Sequence, residues 1–64
     1  MMRTTADLTI AEYATLHELE ERERTAFTTC VYDNSPATRT ARDRASAEVI
    51  ALREQLGLDP TGHL

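Results

Sequence analysis

One break near the middle, Val31-Tyr32-Asp33-Asn34-Ser35-Pro36, limits what this chain can become. The stretches on either side carry helical periodicity, and the break holds the central residues least able to continue a helix. Two helices joined by so short a link fold back on each other as an antiparallel hairpin. The sequence therefore predicts an all-α fold, with a first helix over about 10–31 and a second over about 36–56.

The starts and stops are written locally. Thr9 suits an N-cap, and Glu12 stands three residues on, the spacing of a capping box. Leu8 and Tyr13 have the spacing of a hydrophobic staple across that cap. In the second helix Ser35 suits the N-cap and Pro36 the first helical position, where a missing N–H costs nothing. Gly57 suits the left-handed residue that ends a helix, and Leu58 can fold back as in a Schellman motif. Asp59-Pro60 blocks continuation. Residues 1–9 read as a flexible N-terminal segment, 10–58 as the hairpin and 59–64 as a flexible tail.

The apolar faces predict how the helices meet. Leu16, Leu19, Ala26, Phe27 and Cys30 share one face of the first helix, with Tyr13 and Val31 at its edge and Glu23 near its centre. Ala37, Ala41, Ala45, Val49, Leu52 and Leu56 share one face of the second. Counting back from the turn sets Leu19 near Val49, Leu16 near Leu52, Phe27 near Ala41 and Glu23 opposite Arg44. The residues expected to carry the fold are Leu16, Leu19, Phe27, Ala41, Ala45, Val49, Leu52 and Leu56.

Such a seam is thin. A chain of 64 residues buries only about 60% of the surface it exposes when unfolded, so a further staple is expected. Cys30 is the single cysteine and forms no internal disulfide. That leaves oligomerisation, a dimer first, completing a coiled-coil-like helical bundle, or docking on a larger protein. Ile50, on the far side of the second helix, and Ile10, off the main stripe of the first, are expected in that outer contact. The acidic run around Glu20 and Glu21 is expected to join them, although its i,i+4 pairs Glu18–Arg22 and Glu20–Arg24 also suit a solvated face.

Chemistry is sparse. His17 and Glu21 lie one turn apart, but no wider set of ligands stands at metal spacing. Gly57 and Gly62 are the only glycines, so there is no glycine-rich phosphate loop. No basic residue neighbours Cys30 in sequence to activate it. The expectation is a non-catalytic protein with no metal and no cofactor. The N-terminus has no apolar core of a signal peptide, and no apolar run approaches the ~20 residues needed to cross a bilayer. A cytoplasmic protein without a membrane partner is expected.

Net charge is −4, and all seven basic residues are arginine. The acidic balance argues against a broad phosphate-binding surface. Arg39, Arg42 and Arg44 at the start of the second helix support an alternative: a small dimeric regulator that reads nucleic acid with them.

Ser35-Pro36-Ala37, an Ala/Arg-rich helix and then Leu52-Arg53-Glu54-Gln55-Leu56-Gly57-Leu58-Asp59-Pro60 resemble the C-terminal part of small terminase subunits of tailed bacteriophages. There a proline opens a helix that ends in a Leu-Gly-Leu-x-Pro phrase. The arginine that often follows it is replaced here by Thr61-Gly62-His63. The resemblance covers residues 35–60 and implies a helical, ring- or oligomer-forming phage or prophage protein; a small adaptor, inhibitor or assembly protein, of phage or mobile-element origin, is the function expected of the chain.

Overall fold

The computed structural model describes residues 3–59. A 3₁₀ turn, Thr5–Asp7, precedes α1, Ile10–Tyr32, and α2, Pro36–Gln55, with no strand among the described residues. Contacts across the pair give its sense. Arg42, early in α2, meets Cys30, late in α1. Arg53, late in α2, meets Glu20 in the middle of α1. The two helices are an antiparallel hairpin.

Both helices begin where their caps demand. The Thr9 hydroxyl accepts from the Glu12 amide at 3.1 Å, and Glu12 Oε1 accepts from the Thr9 amide at 2.9 Å. Two orphan donors of α1 are satisfied by one reciprocal box. At α2 the Ser35 hydroxyl accepts from the Thr38 amide at 3.3 Å, and the Thr38 hydroxyl accepts from the Ser35 amide at 2.9 Å. Thr38 thus plays the role usually given to Glu. Its hydroxyl also reaches the Asp33 carbonyl, tying the link to the helix it introduces.

The stop at Gly57 is a Schellman motif. Gly57 has φ +79°, the Leu58 amide donates to the Arg53 carbonyl at 2.8 Å, and the Gly57 amide to the Glu54 carbonyl at 3.1 Å. Leu58 swings back and is buried.

The buried core among the described residues is Leu16, Cys30, Val49 and Leu58. Leu19, Ala26, Ala45, Leu52 and Leu56 are half-buried beside it. The turn half of the seam differs from expectation. Ala37 and Ala41 are exposed, while Thr38 and Arg42 take the inner positions. The cause is angular: a step of four residues turns about 40° beyond a full circle, so Ala37 lies roughly 80° from Ala45. The path Ala45, Arg42, Thr38 alternates steps of three and four and stays on the seam. Phe27 is accordingly half-exposed, with the Arg42 guanidinium 5.9 Å from its ring centre.

The ion pair across the seam also differs. Arg53 donates to Glu20 at 2.7 Å, whereas Arg44 is exposed and makes no such bridge with Glu23. Side chains lean toward the N-terminus of their own helix. In an antiparallel pair this carries those of α1 away from the turn and those of α2 toward it. Partners on α2 therefore stand further along the chain than backbone counting suggests.

The open end of the hairpin has its own closure. The Arg3 amide donates to the Gly57 carbonyl at 3.0 Å, and Arg3 Nη1 to the Leu56 carbonyl at 3.1 Å. Both acceptors lie at the negative end of the α2 dipole, where a cation is favoured. Arg3 Nη2 turns the other way, donating to the Asp7 carbonyl at 2.9 Å and to Glu12 Oε1 at 3.2 Å. One arginine joins the end of α2 to the capping box of α1. This closure lies within the segment 1–9 that the sequence sets apart from the hairpin. The carboxyls there are held below their ordinary pKa: Glu12 by the Thr9 amide and then Arg3, Asp7 by the Thr4 amide and hydroxyl. The tail expected over 59–64 lies outside the described residues beyond Asp59.

Candidate functional site

α1 carries a second row of side chains beside its seam. Tyr13, His17, Glu20, Arg24, Phe27 and Val31 recur at steps of four, three, four, three and four, and Ile10 stands three before Tyr13. Those steps keep a row on one face of a helix. This row lies about a quarter turn from Leu16, Glu23 and Cys30, which face α2. Its ends are apolar and open: Ile10 is 90% exposed, Tyr13 54%, Phe27 46% and Val31 79%. The Tyr13 ring lies parallel to His17, with centroids 6.3 Å apart. From α2, Arg42 and Arg53 reach over to this side, and Ile50, one turn before Arg53, stands 41% exposed.

Two shallow grooves run along the face with Phe27 between them. One, of about 310 Å³, is bounded by His17, Glu20, Glu21 and Arg24. The other, of about 270 Å³, is bounded by Val31, Cys30, Asn34 and Arg42.

The charges on this face are mutually paired. Glu20 is half-buried against Arg53. Glu21 sits 3.3 Å from Arg24 and 4.0 Å from His17. Glu18–Arg22, at 3.0 Å, lies further round. Glu20 and Glu21 therefore belong to a balanced acid–base cluster rather than to a bare acidic patch. Ile10 and Ile50 are both exposed.

The three arginines at the start of α2 do not converge. Arg39 reaches Asn34 Oδ1 at 3.5 Å. Arg42 is engaged by Asp43 at 3.1 Å, by the Phe27 ring and by Cys30 Sγ at 3.7 Å. Arg44, two residues from Arg42, projects from nearly the opposite side of the helix. Among the described residues no three His, Cys, Asp or Glu side chains gather as a metal site, and no helix is long and apolar enough to cross a membrane.

Sequence reading missed Arg3 and Arg53, whose partners lie 53 and 33 residues away, and named Arg42 only as a nucleic-acid candidate and not for its contact with Cys30, 12 residues away. It also placed Phe27 on the seam. The alternation from Tyr13 to Val31 was the available signal for a second row, masked by the polar His17, Glu20 and Arg24 at its centre. No known family model matches this chain, and neither the characterised proteins nor the solved structures contain a significant match to it.

Proposed function

We propose that this chain is a small non-catalytic interaction module that docks a helical partner on the outer face of α1. The observation that carries the reading is the exposed row Ile10, Tyr13, Phe27 and Val31 on a hairpin in which four side chains are buried among the described residues. Solvent-facing apolar residues at both ends of a regular 4-3 row are what helix-in-helix docking uses. The dimensions support an unfinished bundle. The radius of gyration is 12.9 Å, against roughly 11 Å for a compact domain of this length. The exposed surface is 4742 Å², against roughly 4,100 Å² for a compact monomer of this mass.

Site-directed photo-cross-linking tests the reading. A photoreactive phenylalanine analogue at Val31 should form protein adducts in the expressing cell, and the same analogue at Ala47, on the far side of α2, should not. Absence of any protein adduct from Val31 would overturn the proposal.

A further inference from the structure

We infer that the occupant of the α1 face is the same face of a second copy, packed antiparallel about a two-fold axis at the level of Arg22. This rests on the docking reading and names its partner. The argument is the row's own complementarity. Read from its two ends toward that level, Tyr13 meets Val31, His17 meets Phe27 and Glu20 meets Arg24. Two antiparallel copies therefore set apolar against apolar at both ends, a ring on a ring between, and acid against base at the centre, each contact occurring twice. A two-fold interface requires this kind of self-complementarity.

Other alignments on the same row lose it. A parallel pair opposes Glu20 to Glu20 and Arg24 to Arg24 of the second copy, like charge on like. An antiparallel pair slid by one heptad toward the N-termini leaves Val31 uncovered and takes Arg24 away from a carboxylate. In the inferred alignment the existing pairs extend rather than break. Arg53 holds Glu20 within the chain, Glu20 faces Arg24 of the second copy, and that Arg24 keeps its own Glu21. The charges alternate along the cluster, so closing the face strands none of them. α1 is 23 residues long, about 35 Å at 1.5 Å per residue, and two such faces can supply the roughly 800 Å² per partner of a standard interface. A row a quarter turn from the seam is also where a helix of a four-helix bundle meets its second neighbour.

Single nitroxide labels at Thr15, Arg22 and Thr29, each in a Cys30→Ser background, test the alignment by pulsed dipolar spectroscopy, with sedimentation velocity in parallel. The three sites lie one heptad apart on the exposed back of α1 and leave the docking row intact. The expected result is a dimer whose inter-label distance is shortest at 22 and longer by similar amounts at 15 and 29, where the labels are offset along the axis by about 21 Å. Equal distances at all three sites mean a parallel pair and overturn the inference, as does a minimum displaced toward 15. A monomer at several hundred micromolar also overturns it. If Val31 cross-links to a different protein under those conditions, the docking reading stands and the self-docking inference alone falls.

Discussion

Single residues at the open end do several jobs at once. Gly57 has to adopt φ +79°, and a Cβ there would stand 3.3 Å from Arg3 Cδ. The side chain can shift by a few tenths of an ångström, but the left-handed backbone cannot be relieved that way. Gly57→Ala should therefore destabilise the fold by about 1–2 kcal/mol, read from urea unfolding, with Gly57→Asn milder because Asn tolerates this conformation. Equal stability of Gly57→Ala and the parent would mean that the Schellman stop does not form in solution. Arg3 shows why such positions escape a sequence reader. Its neighbours in sequence are small and polar, and its meaning lies in two carbonyls more than fifty residues away. Leu58 was half-legible for the opposite reason: the Schellman pattern is local, and it predicted the fold-back though not the burial.

The elements themselves were the most legible part of the chain. α1 begins at Ile10 and α2 at Pro36, where Thr9 with Glu12 and Ser35 with Pro36 place them. Caps are interactions within four residues, so sequence carries them whole. The pairing of the helices was not legible to the same degree, because it depends on side-chain lean and reach. The sequence set Ala41 against Phe27, yet it is the Arg42 guanidinium that meets Phe27 and Cys30 there. The start of α1 also carries the clearest pH dependence. Glu12 and Asp7 have lowered pKa values when folded. Their contribution is complete above the ordinary carboxyl range near pH ~4 and is lost as pH falls through and below that range. Thermal melts between pH 6 and pH 3 should show the parent losing stability, and Glu12→Gln, which keeps the cap but not the charge, losing less. Parallel loss in the two proteins would remove Glu12 from the account.

At the scale of the whole molecule the hairpin has two surfaces of different kinds. One is the seam, apolar at Leu16 and Val49 and closed within the chain. The other is the α1 row, apolar at its ends and charged at its centre, touched from α2 by Arg42 and Arg53 and open among the described residues at Ile10, Tyr13 and Val31. The fold class was legible because length and periodicity alone imply it. The outer face was not, since Phe27 read as part of the seam and Val31 as its edge until the position of α2 was known. Charge reversal tests the row in solution. Arg24→Glu alone and Glu20→Arg alone should each weaken self-association at least tenfold by sedimentation, while an equimolar mixture should recover a heterodimer in which every facing pair is opposite in sign. Failure of the mixture, with both variants helical by circular dichroism, would place the contact elsewhere.

The Arg3 closure has a topological consequence. Its amide lies 3.0 Å from the Gly57 carbonyl, so the end of α2 is joined to the segment before α1 and the hairpin is a ring with two joints. One joint is covalent, at Asp33–Ser35, and the other is made of hydrogen bonds at the opposite end. The order in which the helices are written is then interchangeable. A circular permutant with a short linker from Asp59 to Arg3 and new termini at Asn34 retains both helices, their seam and the whole outer face of α1, with the covalent and the hydrogen-bonded joints exchanged.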